Sequence, residues 1–128
     1  MKHIATLVLL AAACSAQSPI ACNLKALTPS EREHHAELSR KWRAATVEIR
    51  ELTNGLLFRL SPAIRITDLA QWVEAERKCC PFLDFNIKLQ CEGGPIELAL
   101  TGRDGVKKLL LTTYKLTSTT SSKIAGGN

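Results

Sequence analysis

Two stretches of strict alternation, each folded back on itself at a turn signal, constrain this chain more than anything else in it. Val47 and Ile49 alternate with Glu48 and Arg50, Asn54-Gly55 marks a tight turn, and Leu56, Phe58 and Leu60 alternate again before Ser61-Pro62 ends the run. A period of two turns one face of each segment toward a core and the other toward water, and Asn-Gly between such segments is the strongest short hairpin signal. The pattern returns further on. Phe85, Ile87, Leu89 and Cys91 alternate with Asn86, Lys88 and Gln90, Gly93-Gly94-Pro95 turns the chain, and Ile96, Leu98 and Leu100 lead back. Two β-hairpins are predicted.

Helical segments separate them. Thr28-Pro29-Ser30-Glu31 is a capping box with proline at the first helical position, so a helix should begin there and run to about Ala45, with Leu38, Trp42 and Ala45 inward. A second is expected from about Asp68 to Cys79, capped by Thr67 and stopped by Pro81. Gly102-Arg103-Asp104-Gly105 leads into a third, from Val106 to about Tyr114. The expected class is α+β: an N-terminal helix, then two ββα units, forming one four-stranded, mainly antiparallel sheet with helices packed on one face. Beyond the apolar pattern the side chains of the two units do not match.

A chain of 128 residues, 45% hydrophobic and 23% charged, has the size and composition of a single globular domain. Its ends read differently. Met1-Lys2-His3 is a short basic start, Ile4 to Ala13 is uninterruptedly apolar, and small residues follow through Ala16, the form of a bacterial export signal and too short for a span of ~20 residues. Ala11-Ala12-Ala13-Cys14 also resembles a lipoprotein cleavage site, with cleavage near Ala13, Ala16 or Ala21 as the ordinary alternative. We therefore expect residues 1–21 to be an export signal or lipoprotein-type leader, residues 22–116 a single α+β domain, and residues 117–128 a flexible Ser/Thr-rich tail. The mature protein is expected outside the cytoplasm, periplasmic, secreted or lipid-anchored, with membrane contact only through an anchor at Cys14. The 17 basic residues exceed the 12 acidic ones, but they are scattered among acidic neighbours, with no basic stripe interleaved with aromatics, so nucleic acid is not an expected partner.

The chemistry concentrates at Glu76-Arg77-Lys78-Cys79-Cys80-Pro81-Phe82. On the second helix Leu69, Trp72, Val73, Glu76 and Cys80 follow i, i+3, i+4, i+7, i+11, which places a carboxylate on the stripe facing the core. A charge there must be paired, hydrogen-bonded, protonated or bound to something. Glu76 and Cys80 lie one turn apart and face a common point, with Cys79 at its edge. Cys79 and Cys80 are poor partners for each other, because adjacent Cα atoms are ~3.8 Å apart and disulfides want ~4.4–6.8 Å. With Cys22 and Cys91 two pairings remain: Cys22 with Cys79 and Cys80 with Cys91, or Cys22 with Cys80 and Cys79 with Cys91.

Thiolate ligation is the competing reading, with Cys79, Cys80 and Cys22 as donors to copper, zinc or mercury and Glu76 or a histidine as a harder partner. His34 and His35 flank the inner stripe of the first helix; they could reach the site if that helix packs nearby, but the expectation is that they are exposed or boundary residues. Catalysis is not the expectation. A helix C-terminus is the negative end of the dipole and disfavours a thiolate, and no Cys-x-x-Cys, nucleophile elbow or phosphate-binding glycine loop is present. Asp84 and Asp104 read as a polar strand residue and a turn residue.

The same segment resembles a family of small uncharacterised bacterial proteins carrying Glu-Arg-x-Cys-Cys-Pro-Phe-Leu-x-Phe, here Glu76 to Phe85, and beginning Cys-Asn-Leu-x-Ala-Leu-Thr, here Cys22 to Thr28. The resemblance runs roughly from Cys22 to Leu111 and implies no particular activity. Its cysteine-rich segment is also similar to those attached to metal-resistance regulators, which favours a metal, although this chain has no recognisable DNA-binding domain. Cys91 lies outside both motifs. The leading expectation is an exported small protein that binds a soft metal ion through Cys79, Cys80, Cys22 and Glu76; the alternatives are a non-catalytic domain with disulfide-bonded cysteines and, behind it, a thiol-redox enzyme. No protein partner is implied.

Overall fold

The computed structural model describes residues 17–114; the apolar stretch to Ala16 that is expected to be a leader, Cys14 within it, and the Ser/Thr-rich C-terminal stretch lie outside the described residues. Helix α1 spans Pro29–Ala44, and its capping box is complete: the Thr28 hydroxyl accepts from the Glu31 amide at 3.2 Å while the Glu31 carboxylate accepts from the Thr28 amide at 2.8 Å. Strands β1 (Thr46–Leu52) and β2 (Gly55–Leu60) form the first hairpin, α2 covers Ile66–Cys79, strands β3 (Asp84–Leu89) and β4 (Ile96–Thr101) form the second, and α3 covers Val106–Thr113. Helix, hairpin, helix, hairpin, helix is the order the alternation required.

The four strands lie in the order β1-β2-β4-β3, and every neighbouring pair is antiparallel. Each hairpin thus contributes its second strand to the centre. Leu56, Phe58, Leu60, Leu98 and Leu100 are buried on one face, and the helices close over it: Trp42 of α1 and Tyr114 after α3 both meet Phe58, at 5.1 and 4.9 Å between ring centroids, and Trp72 of α2 meets Phe85 at 6.1 Å. Burying side chains of this size contributes about 1.5–3 kcal/mol each. On the opposite face Arg59 reaches Glu48 at 3.5 Å and Glu97 at 3.8 Å, and Arg50 reaches Glu48 at 3.0 Å.

Several local expectations need correction. The first hairpin turns at Thr53-Asn54, with Leu52 paired to Gly55, so Gly55 already belongs to β2. Its lack of a side chain is needed instead for close approach, because a Cβ would collide with the Leu100 carbonyl of β4. Val47 is exposed rather than inward: an irregularity between Thr46 and Glu48 inserts an extra residue, and a one-residue slip changes faces. Leu89 is 59% exposed at the end of an edge strand. Helix α2 begins at Ile66 after Arg65, because the Asp68 and Leu69 amides both donate to the Arg65 carbonyl, and Thr67 is therefore inside the first turn rather than at its cap. Ahead of α3, Gly105 has φ 97°, a conformation that costs a residue with a Cβ.

Residues ahead of Cys22 also touch the domain. Ile20 packs against the core, and Arg103 donates to the Ser18 carbonyl.

Candidate metal and thiol site

Helices α1 and α2 run antiparallel along one seam, and their contacts set the geometry of the site. Lys78 pairs with Glu31 at 2.8 Å, His34 meets Gln71 at 3.1 Å, the Trp72 indole N–H donates to Ser39 Oγ at 2.8 Å, and Lys41 reaches Asp68 at 3.6 Å. His35 lies between these contacts, stacked on the Trp72 ring at 6.0 Å. Its Nε2 is 2.5 Å from Glu76 Oε2, with both side chains nearly buried. Glu76 is the buried charged residue among those described, and His35 is the partner that burial demands.

The other end of the Glu76 carboxylate faces sulfur. Oε1 lies 3.2 Å from Cys80 Sγ, and Oε2 lies 3.7 Å from Cys79 Sγ. The Cys79 thiol donates to the Glu76 carbonyl at 3.5 Å, and the two vicinal sulfurs are 3.7 Å apart. Helix α2 ends here because Cys80 precedes proline and leaves the helical region, at φ −126° and ψ 67°. That departure turns Cys80 away from Cys79 and toward the N-terminal segment.

There Cys80 is disulfide-bonded to Cys22, with Cα atoms 4.7 Å apart and a sequence separation of 58. The Asn23 amide donates to the Cys79 carbonyl at 2.8 Å, so the segment before α1 is held to the end of α2 by backbone as well as by sulfur. Cys22 is exposed and Cys80 buried. Both pairings drawn from the sequence gave Cys91 a partner, and the structure corrects them. Cys91 is free and exposed in a single helical turn, Cys91–Gly93, that follows β3, while Cys79 is free and buried. The strand stops at Leu89, so the alternation that would have carried Cys91 inward has already ended.

Of the four residues proposed from the sequence, all meet at this point, and His35 joins them. The donor atoms fall into two groups that share Glu76: Cys22, Glu76 and Cys80, and His35, Glu76 and Cys79, each within 4.8 Å. Such groups can hold a metal ion. His35 is a boundary residue that reaches the site because α1 packs against α2, and it shares the i, i+3, i+7 stripe with Leu38 and Trp42. His34 is exposed and takes no part.

Burial pushes the Cys79 thiol up to about 12 from an ordinary 9.0, and the negative charge of Glu76 adds to the effect. Burial likewise raises the Tyr114 phenol, again with a contribution from Glu76. Three units at Cys79 lower its thiolate fraction about a thousandfold at pH 8, and the thiolate is the reactive form. In the oxidised native protein, iodoacetamide at pH 8 should therefore label Cys91 and leave Cys79 unmodified, with both labelled after unfolding. Peptide mass mapping reads this directly; labelling of Cys79 at the rate of Cys91 would contradict the assigned burial.

No protein-family profile, curated protein or solved structure matches the chain. The description of the site therefore rests on its own geometry.

Proposed function

We propose that this is an exported small protein that binds a soft metal ion at the junction of α1 and α2. The supporting observation is the Glu76 carboxylate, held between an imidazole nitrogen at 2.5 Å and two sulfurs at 3.2 and 3.7 Å. With the disulfide closed, His35, Glu76 and Cys79 are the available donors, a mixed set that suits zinc. Once it opens, Cys22 and Cys80 supply two further thiolates to the same point, and the preference moves to Cu(I) or Hg(II). The reduced site is thus the softer and the stronger one.

Export accords with a disulfide linking distant parts of the chain, since such bonds persist in oxidising compartments. Removal of a leader near Ala13 or Ala16 would retain the contacts of Ser18 and Ile20. The two motifs of the family resemblance, Cys22–Thr28 and Glu76–Phe85, contain Cys22, Glu76, Cys79 and Cys80 but not His35. A second reading has its own observation in support: the Cys22–Cys80 bond staples the N-terminal segment to α2, as expected of a non-catalytic extracytoplasmic domain.

Titration of the reduced, metal-free protein with Zn(II), Cu(I) or Hg(II), followed by native intact mass and thiol counting, separates the two. The metal reading expects one bound equivalent, protection of Cys22, Cys79 and Cys80 from alkylation, and affinity lowered about 100-fold or more in Cys79→Ala and about 10-fold in Glu76→Gln. If every thiol stays reactive at stoichiometric metal and no metal mass appears, the proposal fails and the stapled domain stands.

A further inference from the structure

The disulfide faces a cleft of about 440 Å³ whose lining includes Cys22, Tyr114 and a continuous face of α1. That face carries Arg32, His35, Ser39, Arg40 and Arg43, at i, i+3, i+7, i+8 and i+11. Three guanidinium groups thus line a space whose one carboxylate, Glu76, is already paired with His35. Arg32 spends one nitrogen on the Leu24 and Leu27 carbonyls, at 3.4 and 3.2 Å. Arg43 lies over the Tyr114 ring at 4.5 Å.

The acids of the chain can be accounted for completely. All 12 lie within the described residues, since neither 1–16 nor 115–128 contains an Asp or Glu. Six pair with other cations, Glu31 with Lys78, Glu37 and Asp68 with Lys41, Glu48 and Glu97 with Arg59, and Glu51 with Lys107; Glu76 meets His35, and Glu33, Glu74, Asp84, Glu92 and Asp104 make no ion pair among the described residues. None is paired with Arg32, Arg40 or Arg43. Arg40 and Arg43, neighbours at i and i+3 on that face, repel each other, and an anion entering the cleft relieves that repulsion.

The cleft offers such an anion one electrophile. Cys22 is the exposed half of the disulfide, and Cys80 is buried behind it. We propose that this cleft binds a small thiol bearing carboxylates and that the bound thiol opens the Cys22–Cys80 bond by exchange. The carboxylates sit on the α1 arginines. The ligand thiolate attacks Cys22 Sγ, a new sulfur–sulfur bond forms there, and the Sγ–Sγ bond to Cys80 breaks. Cys80 leaves with the electron pair and takes up the proton that the ligand thiol gave to solvent, so the balance is one thiol consumed and one formed. The new Cys80 thiol is placed to donate to Glu76 Oε1, 3.2 Å away. This activity goes beyond metal binding and does not require it, although its product is the reduced donor set described above.

The test uses the full oxidised chain in chelator, so that its outcome is independent of any metal titration. Glutathione is the acidic probe, and its diethyl ester is the same thiol with both carboxylates masked. Loss of the Cys22–Cys80 bond is followed by acid quench, alkylation and intact mass, at low and high salt. Glutathione should react about 10-fold faster than the ester at low salt and should lose that advantage near 1 M salt. In Arg40→Gln/Arg43→Gln the glutathione rate should fall toward that of the ester; an unchanged melting temperature of the oxidised chain shows that the variant is folded, and the salt dependence of the native chain needs no variant. Equal rates for the two probes on the native chain at low salt, or first attachment at Cys80 instead of Cys22, would overturn the proposal.

Discussion

A Cys22→Ser chain should lose about 4 kcal/mol of stability relative to the oxidised native protein. The bond closes a loop between residues separated by 58 in sequence, and the chain-entropy relation for a loop of that length gives roughly this value at 25 °C. Serine at an exposed position leaves no cavity, so the loss is that of the cross-link and not of packing. Cys80→Ser would add to it a hydroxyl in a buried site. For a domain of this size the melting temperature should fall by about 15 °C or more. Reductant should bring the native protein down to the level of Cys22→Ser and leave the variant unmoved. A Cys22→Ser chain that melts within a degree of the oxidised parent would show that Cys22 and Cys80 are not bonded in solution.

The staple also indicates which parts of this molecule can be read from sequence. Alternation and turn signals specify local structure, and they placed the hairpins, the three helices and the single antiparallel sheet. They carry no record of an inserted residue. The irregularity beside Val47 therefore reversed a face that the pattern assigned inward, and the early end of β3 left Cys91 in solvent. Helical spacing put Glu76 and Cys80 on a buried stripe, and both are buried. What it could not supply was the partner across the seam: whether His35 reaches Glu76 depends on the register of α1 against α2, which is set by Glu31–Lys78 and Ser39–Trp72, contacts distant in sequence. The choice between the two Cys22 pairings likewise rested on Pro81, which turns Cys80 and not Cys79 toward Cys22.

His35→Ala should destabilise the protein by about 3 kcal/mol, because it leaves the Glu76 carboxylate buried without its partner. Glu76→Gln alone should cost about 1 kcal/mol, since an amide keeps contacts with His35 and with the sulfurs. The double variant should lose clearly less than the two separate losses together, with a coupling of roughly 2 kcal/mol by urea unfolding at pH 7. Purely additive losses would mean that the 2.5 Å contact does not form. The complementary change tests what the pair is for. Replacing both residues by leucine removes two polar groups from a nearly dry site beside Trp72, and exchanges of this kind are often neutral or stabilising. A His35→Leu/Glu76→Leu protein at least as stable as the parent would show that the His35–Glu76 contact does not support the fold. Such a result would leave the pair a chemical role, an imidazole nitrogen and a carboxylate oxygen held beside a free thiol and a disulfide, which is what the proposed metal site requires.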